Sequence, residues 1–118
     1  MPNIGDESLA LADEALTSGE LVVSAISFCE IAKLVRQDRL VLDRSLNDWR
    51  NELLEQHLLE YPVDGSIAIA AVDLPDLHRD PADRIIVATA LALGAALLTA
   101  DERLLAWPGP LQRRDARL

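Results

Sequence analysis

The chain has few of the residues that build several common kinds of site. One cysteine in 118 residues excludes an internal disulfide and a cysteine-based zinc site, and it fits a reducing cytoplasm. Two histidines, His57 and His78, are too few for a histidine-rich metal site. The aromatic residues are two Trp, one Tyr and one Phe, so the core must be built from Leu, Ile, Val and Ala.

Basic charge and long apolar runs are scarce as well. The formal net charge is −9, whereas a duplex-binding protein usually carries a basic footprint. The first ten residues lack the basic and apolar regions of a signal peptide. The longest nearly apolar stretch, residues 85–98, is shorter than the roughly 20 residues that span a bilayer. We therefore expect one domain over residues 1–118, located in the cytoplasm and not in a membrane.

Apolar periodicity and turn residues predict the order of the elements. The predicted strands are 21–26 and 95–99, and residues 111–118 form either an edge strand or a basic tail. The predicted helices are 8–18, 27–37, 45–60, 65–74, 82–93 and 101–106. This order is typical of an α/β fold with a parallel sheet. Small parallel sheets usually have four or five strands, so at least one strand is missing from the pattern.

Three carboxylates, Glu30, Asp83 and Asp101, are each predicted in the first turn of a helix. Capping explains each of them singly, because acids stabilise a helix start and Ser27 with Glu30 forms a capping box. A parallel sheet would bring the three turns to one edge, where ligands bind. Carboxylates about 4 Å apart repel by roughly 4 kcal/mol per pair at an effective dielectric of about 20. Mg²⁺ or Mn²⁺ offsets that repulsion, so the pattern predicts a metal site.

Weaker candidates surround these acids. Asp80 precedes Pro81 as an N-cap and lies close to Asp83 in the chain. Thr99, at the end of a predicted strand, is a candidate for orienting a metal-bound water or a phosphate, or it is only a strand residue. Four basic residues are further candidates, each either a phosphate ligand or a solvated side chain: Lys33, Arg36 and Arg39 at spacings of three on the Glu30 helix, and Arg84 beside Asp83.

Two segments carry a resemblance to a known family. VVSAISFCEIAKL and HRDPADRIIVATALALGAALLTADERL resemble the PIN-domain family, and within it the VapC-type toxins of toxin–antitoxin pairs. The resemblance covers about residues 8–110, and its specific part is DPADRIIVATA followed by LLTADERL. It implies a three-layer α/β/α domain around a parallel sheet.

The resemblance also implies a function. Family members are Mg²⁺- or Mn²⁺-dependent endoribonucleases that hold their metal with acidic residues, which match Glu30, Asp83 and Asp101 here. Asp80 matches an additional acid of the family. The implied reaction is in-line attack of a metal-activated water on an RNA phosphodiester, leaving a 5′-phosphate and a 3′-hydroxyl. A small antitoxin usually inhibits such a toxin, and a homodimer is expected.

The chain departs from the family at its start. Family members open with a hydrophobic strand that is central in the sheet and carries the first acid, and MPNIGDESLA contains no such strand. Three explanations are open: a misassigned start or a fragment, which we favour; a decayed toxin; or a strand supplied by a neighbouring chain.

Two alternatives to a nuclease follow. The first is a truncated, catalytically inactive PIN-like protein that acts only by binding a partner such as the antitoxin. The second is a receiver-like or phosphatase-like domain, which would need an acid at the end of an early strand, and none is found.

Overall fold

The computed structural model describes residues 4–118, which form helices connected to very short strands. The strands are β1 (Val22–Ser24), β2 (Leu59–Tyr61), β3 (Leu97–Thr99) and β4 (Arg113–Asp115). The helices are α1 (Asp6–Thr17), α2 (Ile26–Arg36), α3 (Leu46–Glu55), α4 (Gly65–Val72), α5 (Pro81–Leu93) and α6 (Glu102–Leu105). No helix in this part of the chain has the length and apolarity needed to cross a membrane.

The four strands form two separate parallel pairs. β1 pairs with β2, with Val22 opposite Leu59, and β3 pairs with β4, with Leu97 opposite Arg113. Within residues 4–118 neither pair has a third strand. The expected α/β architecture with parallel strands is confirmed, and the C-terminal residues contain a strand rather than only a basic tail.

An apolar cavity lies between the two pairs. Its volume is about 600 Å³, and its lining includes Val22 and Val23 of β1, Leu97 and Leu98 of β3, and Thr89 of α5. The pairs therefore face one another across a gap.

Helix α5 joins the two halves of the core. Val87, which is fully buried, and Ala90 belong to one apolar cluster together with Leu104 and Trp107. Ala88, on the same helix, belongs to a second cluster that also contains Ile67 and Ala71 of α4. Helix α5 also packs against α2 and β1. The position of its N-terminus is therefore fixed by the contacts of α5 with the two apolar clusters, α2 and β1.

Helix α2 begins earlier than its sequence predicts. Its N-cap is Ala25, which has no side-chain cap, so Ser27 and Glu30 lie inside the helix and the predicted capping box is wrong. The cause is at the end of β1, where the Ser24 hydroxyl accepts the Ile26 N–H at 3.3 Å. This contact turns the chain into a helix directly after the strand. Glu30 is consequently in the second turn rather than the first.

Helix α3 ends earlier than predicted, and β2 follows it. The N–H groups of His57 and Leu58 donate to the carbonyls of Leu54 and Leu53, the pairing of a Schellman motif. His57 occupies the left-handed position with φ 76°. Glycine usually occupies this position. Because the residue here is a histidine, the sequence did not indicate the helix end or the strand that follows it.

Two arginines fix the loops beside α5 and α6 through backbone carbonyls. Arg113, in β4, donates to the carbonyls of Leu104, Leu105, Trp107, Gly109 and Leu111 at 2.6–3.4 Å. Arg84, in α5, donates to those of Ala71, Val72, Leu74, Leu77 and His78 at 2.7–3.1 Å. An arginine has five N–H donors, and the five contacts of Arg84 match them one to one. In Arg113 the two hydrogens of Nη1 serve three carbonyls, and Nη2 donates to one.

Candidate metal centre

Asp83 is placed by the start of α5. Asp80 is the N-cap, and its carboxylate accepts the Ala82 N–H at 3.1 Å, while Pro81 occupies the first helical position. This agrees with the predicted start, since proline has no N–H to lose there and its φ suits a helix. Asp83 follows in the first turn, where the helix dipole favours a negative charge. Its side chain is 19% exposed.

Asp101 is placed by the end of β3. It is the N-cap of α6, and its carboxylate accepts the Arg103 N–H at 2.8 Å, as the sequence predicted for a cap. The hydroxyl of Thr99, the last residue of β3, accepts the Asp101 N–H at 3.1 Å. Thr99 therefore orients Asp101. This contact is separate from the predicted role of Thr99, which is to orient a metal-bound water or a phosphate.

His78, Asp83 and Asp101 come together at these two helix starts. Each offers one ligand atom, and the three atoms lie within 4.8 Å of one another. His78 Nε2 and Asp83 Oδ2 form a hydrogen bond of 2.8 Å whose donor depends on the imidazole tautomer, and the His78 side chain is 18% exposed. The cluster is thus partly shielded from solvent but still open to it.

Arg103 supplies the positive charge in this cluster. Its Nη2 lies 3.0 Å from Asp101 Oδ2 and 3.5 Å from Asp83 Oδ2, so one guanidinium nitrogen faces both carboxylates. These hydrogen bonds hold the pKa of Asp101 below its ordinary value, and the same contacts raise the pKa of Arg103. The Asp101 carboxylate is therefore available as an anion.

Glu30 lies outside this cluster. In the part of the chain that is described, the group with mutually close ligand atoms contains His78, Asp83 and Asp101 and not Glu30. The Glu30 carboxylate instead accepts a hydrogen bond from Lys33 at 3.2 Å, one helical turn away. That contact is the largest cause of the raised pKa of Lys33, to which the charge of Asp80 also contributes. Glu30 is therefore on the helix beside the cluster, not within it.

The predicted basic residues have different surroundings. Arg36 is exposed, and its side chain makes no hydrogen bond to any residue between 4 and 118, so it is open to a phosphate. Arg84 uses all five donors on backbone carbonyls, as given above. These contacts leave no Arg84 donor for a phosphate, and its guanidinium is not solvated as the alternative expected.

Sequence reasoning did not single out Arg103. The available signal was its position two residues after an N-cap aspartate, which brings its side chain back toward the cap. For His78 the available signal was its position two residues before Asp80, close to the acids in the chain. Its contact is in fact with Asp83, because the loop before α5 folds back over the helix start.

The donor set fits a divalent cation. Carboxylate oxygens are preferred ligands of Mg²⁺ and Mn²⁺, and such sites usually contain one or two carboxylates together with water. Asp83 and Asp101 supply two, and a guanidinium nitrogen already lies between them. The position is therefore one at which this fold accommodates positive charge.

Comparison with known proteins identifies the family. The chain matches the family model for the PIN domain over residues 4–108. Over 98 residues it is also 40% identical to Ribonuclease VapC22 of Mycobacterium tuberculosis (strain ATCC 25618 / H37Rv). The aligned region covers 82% of this chain and 75% of that protein. No solved structure gives a significant match. The family model spans most of the sequence, including Glu30, Asp80, Asp83 and Asp101, and the chain therefore belongs to the PIN-domain family.

Proposed function

We propose that the chain is a metal-dependent endoribonuclease and the toxin of a toxin–antitoxin pair. The observation that carries this proposal is the meeting of Asp83 and Asp101 at two helix starts. The similarity of the chain to a protein named Ribonuclease VapC22 supports RNA as the substrate class. The expected reaction is hydrolysis of RNA phosphodiesters to a 5′-phosphate and a 3′-hydroxyl.

Asp83 and Asp101 would hold Mg²⁺ or Mn²⁺, which supplies an activated water and stabilises charge on the phosphate. Thr99 keeps Asp101 in place through the Asp101 N–H. Asp80 fixes the first turn of α5 and so the position of Asp83. Glu30 is proposed to complete the acidic set as a metal ligand or by positioning the water. This requires its carboxylate to leave Lys33, a contact that is largely exposed and therefore weak.

The substrate is expected to approach along α2. Lys33 and Arg36 are exposed in the last turn of that helix, which packs against α5. Contacts from such residues to phosphates position a nucleic acid without reading its sequence. A chain with a net charge of −9 depends on local basic residues of this kind.

Protein partners are proposed as well: an antitoxin that covers the acidic cluster, and a second copy of the chain. Helix α4, with the sequence GSIAIAAV, carries no charge, and its Ile69 and Val72 are 67% and 76% exposed. Exposed apolar residues on an uncharged helix support a protein contact. Light scattering tests the homodimer directly, and a mass of 12.9 kDa in solution would contradict it.

The nuclease is tested by cleavage of a mixed RNA pool with Mg²⁺, with Mn²⁺ and with EDTA. Asp83→Asn should abolish metal-dependent cleavage and leave the circular dichroism spectrum unchanged. Asp13→Asn, at an exposed position in α1, is the matched control and should cleave like the wild type. Equal cleavage by the wild type and Asp83→Asn would refute the assignment.

One observation favours the alternative of an inactive partner-binding protein. Only two carboxylates belong to the cluster within residues 4–118, and Glu30 is bonded to Lys33. Absence of cleavage with every metal, from a folded wild-type chain, would support that alternative.

A further inference from the structure

We propose that His78 is a direct nitrogen ligand of the metal held by Asp83 and Asp101, and that it makes this site select Mn²⁺ over Mg²⁺. The inference rests on the proposed function, because it adds a ligand to the same metal. It assigns to His78 a role in metal choice that neither the acids nor the basic residues supply.

The spacing of the donor atoms fits a shared ion. Ligands on adjacent corners of an octahedron with bonds of about 2.1 Å lie about 3.0 Å apart, and opposite ligands lie about 4.2 Å apart. His78 Nε2 and Asp83 Oδ2 are separated by 2.8 Å. All three ligand atoms of the cluster lie within 4.8 Å of one another. The His78–Asp83 distance therefore matches that of adjacent ligands of one ion.

The imidazole flanks the point that already attracts a cation. Arg103 Nη2 lies between Asp83 Oδ2 and Asp101 Oδ2, at 3.5 and 3.0 Å. The same Asp83 oxygen is the one that contacts His78 Nε2. A metal held by these two carboxylates would take the place of the guanidinium, and His78 would bind it as the neutral tautomer whose Nε2 carries no proton. The Arg103 side chain is 58% exposed, so it is free to turn toward solvent.

The loop that carries His78 is held in place before any ligand arrives. Arg84 donates to the carbonyls of Leu77 and His78 at 2.7 and 3.1 Å. The indole N–H of Trp107, which is buried, donates to the Pro75 carbonyl at 2.8 Å. Within residues 4–118, the only side-chain partner of the imidazole is Asp83. The ring is therefore positioned by backbone contacts and directed at the cluster.

A nitrogen ligand changes the choice of metal. Mg²⁺ strongly prefers oxygen donors and keeps several waters, whereas imidazole binds first-row transition ions well. A set of two carboxylates and one imidazole therefore favours Mn²⁺. The two carboxylates of the set can still bind Mg²⁺. Loss of the nitrogen should weaken Mn²⁺ binding much more than Mg²⁺ binding.

The test compares His78→Gln with His57→Asn at about pH 8, where a histidine nitrogen is free to bind metal. The control removes the other histidine, and asparagine tolerates the left-handed backbone of position 57. Mn²⁺ and Mg²⁺ affinities are measured by calorimetry and competition. Electron spin-echo spectra of the Mn²⁺-loaded proteins report a coordinated ¹⁴N nucleus directly.

We expect ¹⁴N modulation in the wild type and in His57→Asn, and none in His78→Gln. Mn²⁺ affinity should fall about tenfold or more in His78→Gln, with a much smaller change for Mg²⁺. Wild-type Mn²⁺ binding without ¹⁴N modulation would overturn the proposal, as would an equal loss for both metals, which indicates that His78 only orients Asp83. Neither result bears on the proposed nuclease activity, which is tested separately by the loss of RNA cleavage in Asp83→Asn. Absence of any metal binding would overturn both.

Discussion

Replacement of Arg84 by methionine should remove much of the stability of the chain. The guanidinium of Arg84 donates to five backbone carbonyls between residues 71 and 78, at the end of α4 and in the loop before α5. Methionine keeps most of the length and apolar stem of arginine but offers no donor. The variant therefore tests the hydrogen bonds rather than the packing.

The magnitude follows from the burial of these bonds. Four of the five are partly buried, and the bond to Val72 is exposed, where water can replace it. At about 1 kcal/mol for each partly buried bond, Arg84→Met should cost about 4 kcal/mol. This is a large part of the 5–15 kcal/mol that is usual for a domain. Arg84→Lys should recover about half, because an ammonium group has three donors and no planar fork.

Urea unfolding monitored by circular dichroism measures the effect, provided that the slope of the transition is unchanged. Arg36→Met is the matched control, since its side chain is exposed and makes no hydrogen bond within residues 4–118, and its cost should be below about 0.5 kcal/mol. A loss of less than about 1 kcal/mol for Arg84→Met would refute the reasoning. It would mean that water satisfies these carbonyls as well as the guanidinium does.

Two further predictions use the same measurement. Gly109→Ala should destabilise by about 1–3 kcal/mol, because the added methyl group overlaps the buried indole of Trp107; Gly65→Ala, in open space, is its control and should be close to neutral. Arg117 lowers the pKa of Asp115 to about 2 through hydrogen bonds. The ionised form of Asp115 therefore stabilises the fold above about pH 4, and this contribution is lost as the pH falls toward 2. Asp115→Asn should be less stable than the wild type at pH 7, and the difference should shrink at pH 3; a constant difference would contradict the pairing.

The starts of α4, α5 and α6 could be predicted from sequence because they depend on contacts within three residues. Asp64, Asp80 and Asp101 each accept a backbone N–H of the helix that follows. Gly94 ends α5 in the left-handed conformation with φ 61°. Such positions are determined by backbone sterics and local hydrogen bonds, whatever the rest of the fold does.

Other elements could not be predicted, because distant partners determine them. Strand β2 has three residues and exists through its pairing with β1, more than thirty positions earlier in the chain. The apolar Leu58, just before this strand, continued the helical pattern of α3. The early start of α2 likewise depends on the end of β1, where Ser24 provides the turn.

The candidate site was partly predictable for the same reason. Asp83 and Asp101 were expected to meet because each lies at a helix start on the same edge of a parallel fold, and their ligand atoms do lie close together. The contacts of His78 and Arg103 depend on how the loop before α5 meets the start of α6. Glu30 was assigned to the first turn of a helix starting at residue 27, but α2 starts at Ile26 without the predicted cap, so Glu30 lies in the second turn. Its place among the ligands stays a prediction.

Helix α5 connects the site to the core, and this affects how genetic data on the protein should be interpreted. The helix begins with Asp80 and Asp83 and continues into Val87 and Ala88, which belong to the two apolar clusters. A substitution that loosens either cluster also releases the acids at its N-terminus. A screen for loss of the proposed nuclease activity would thus return core positions alongside site positions. Protein abundance in cells, measured for each variant, is what separates the two classes.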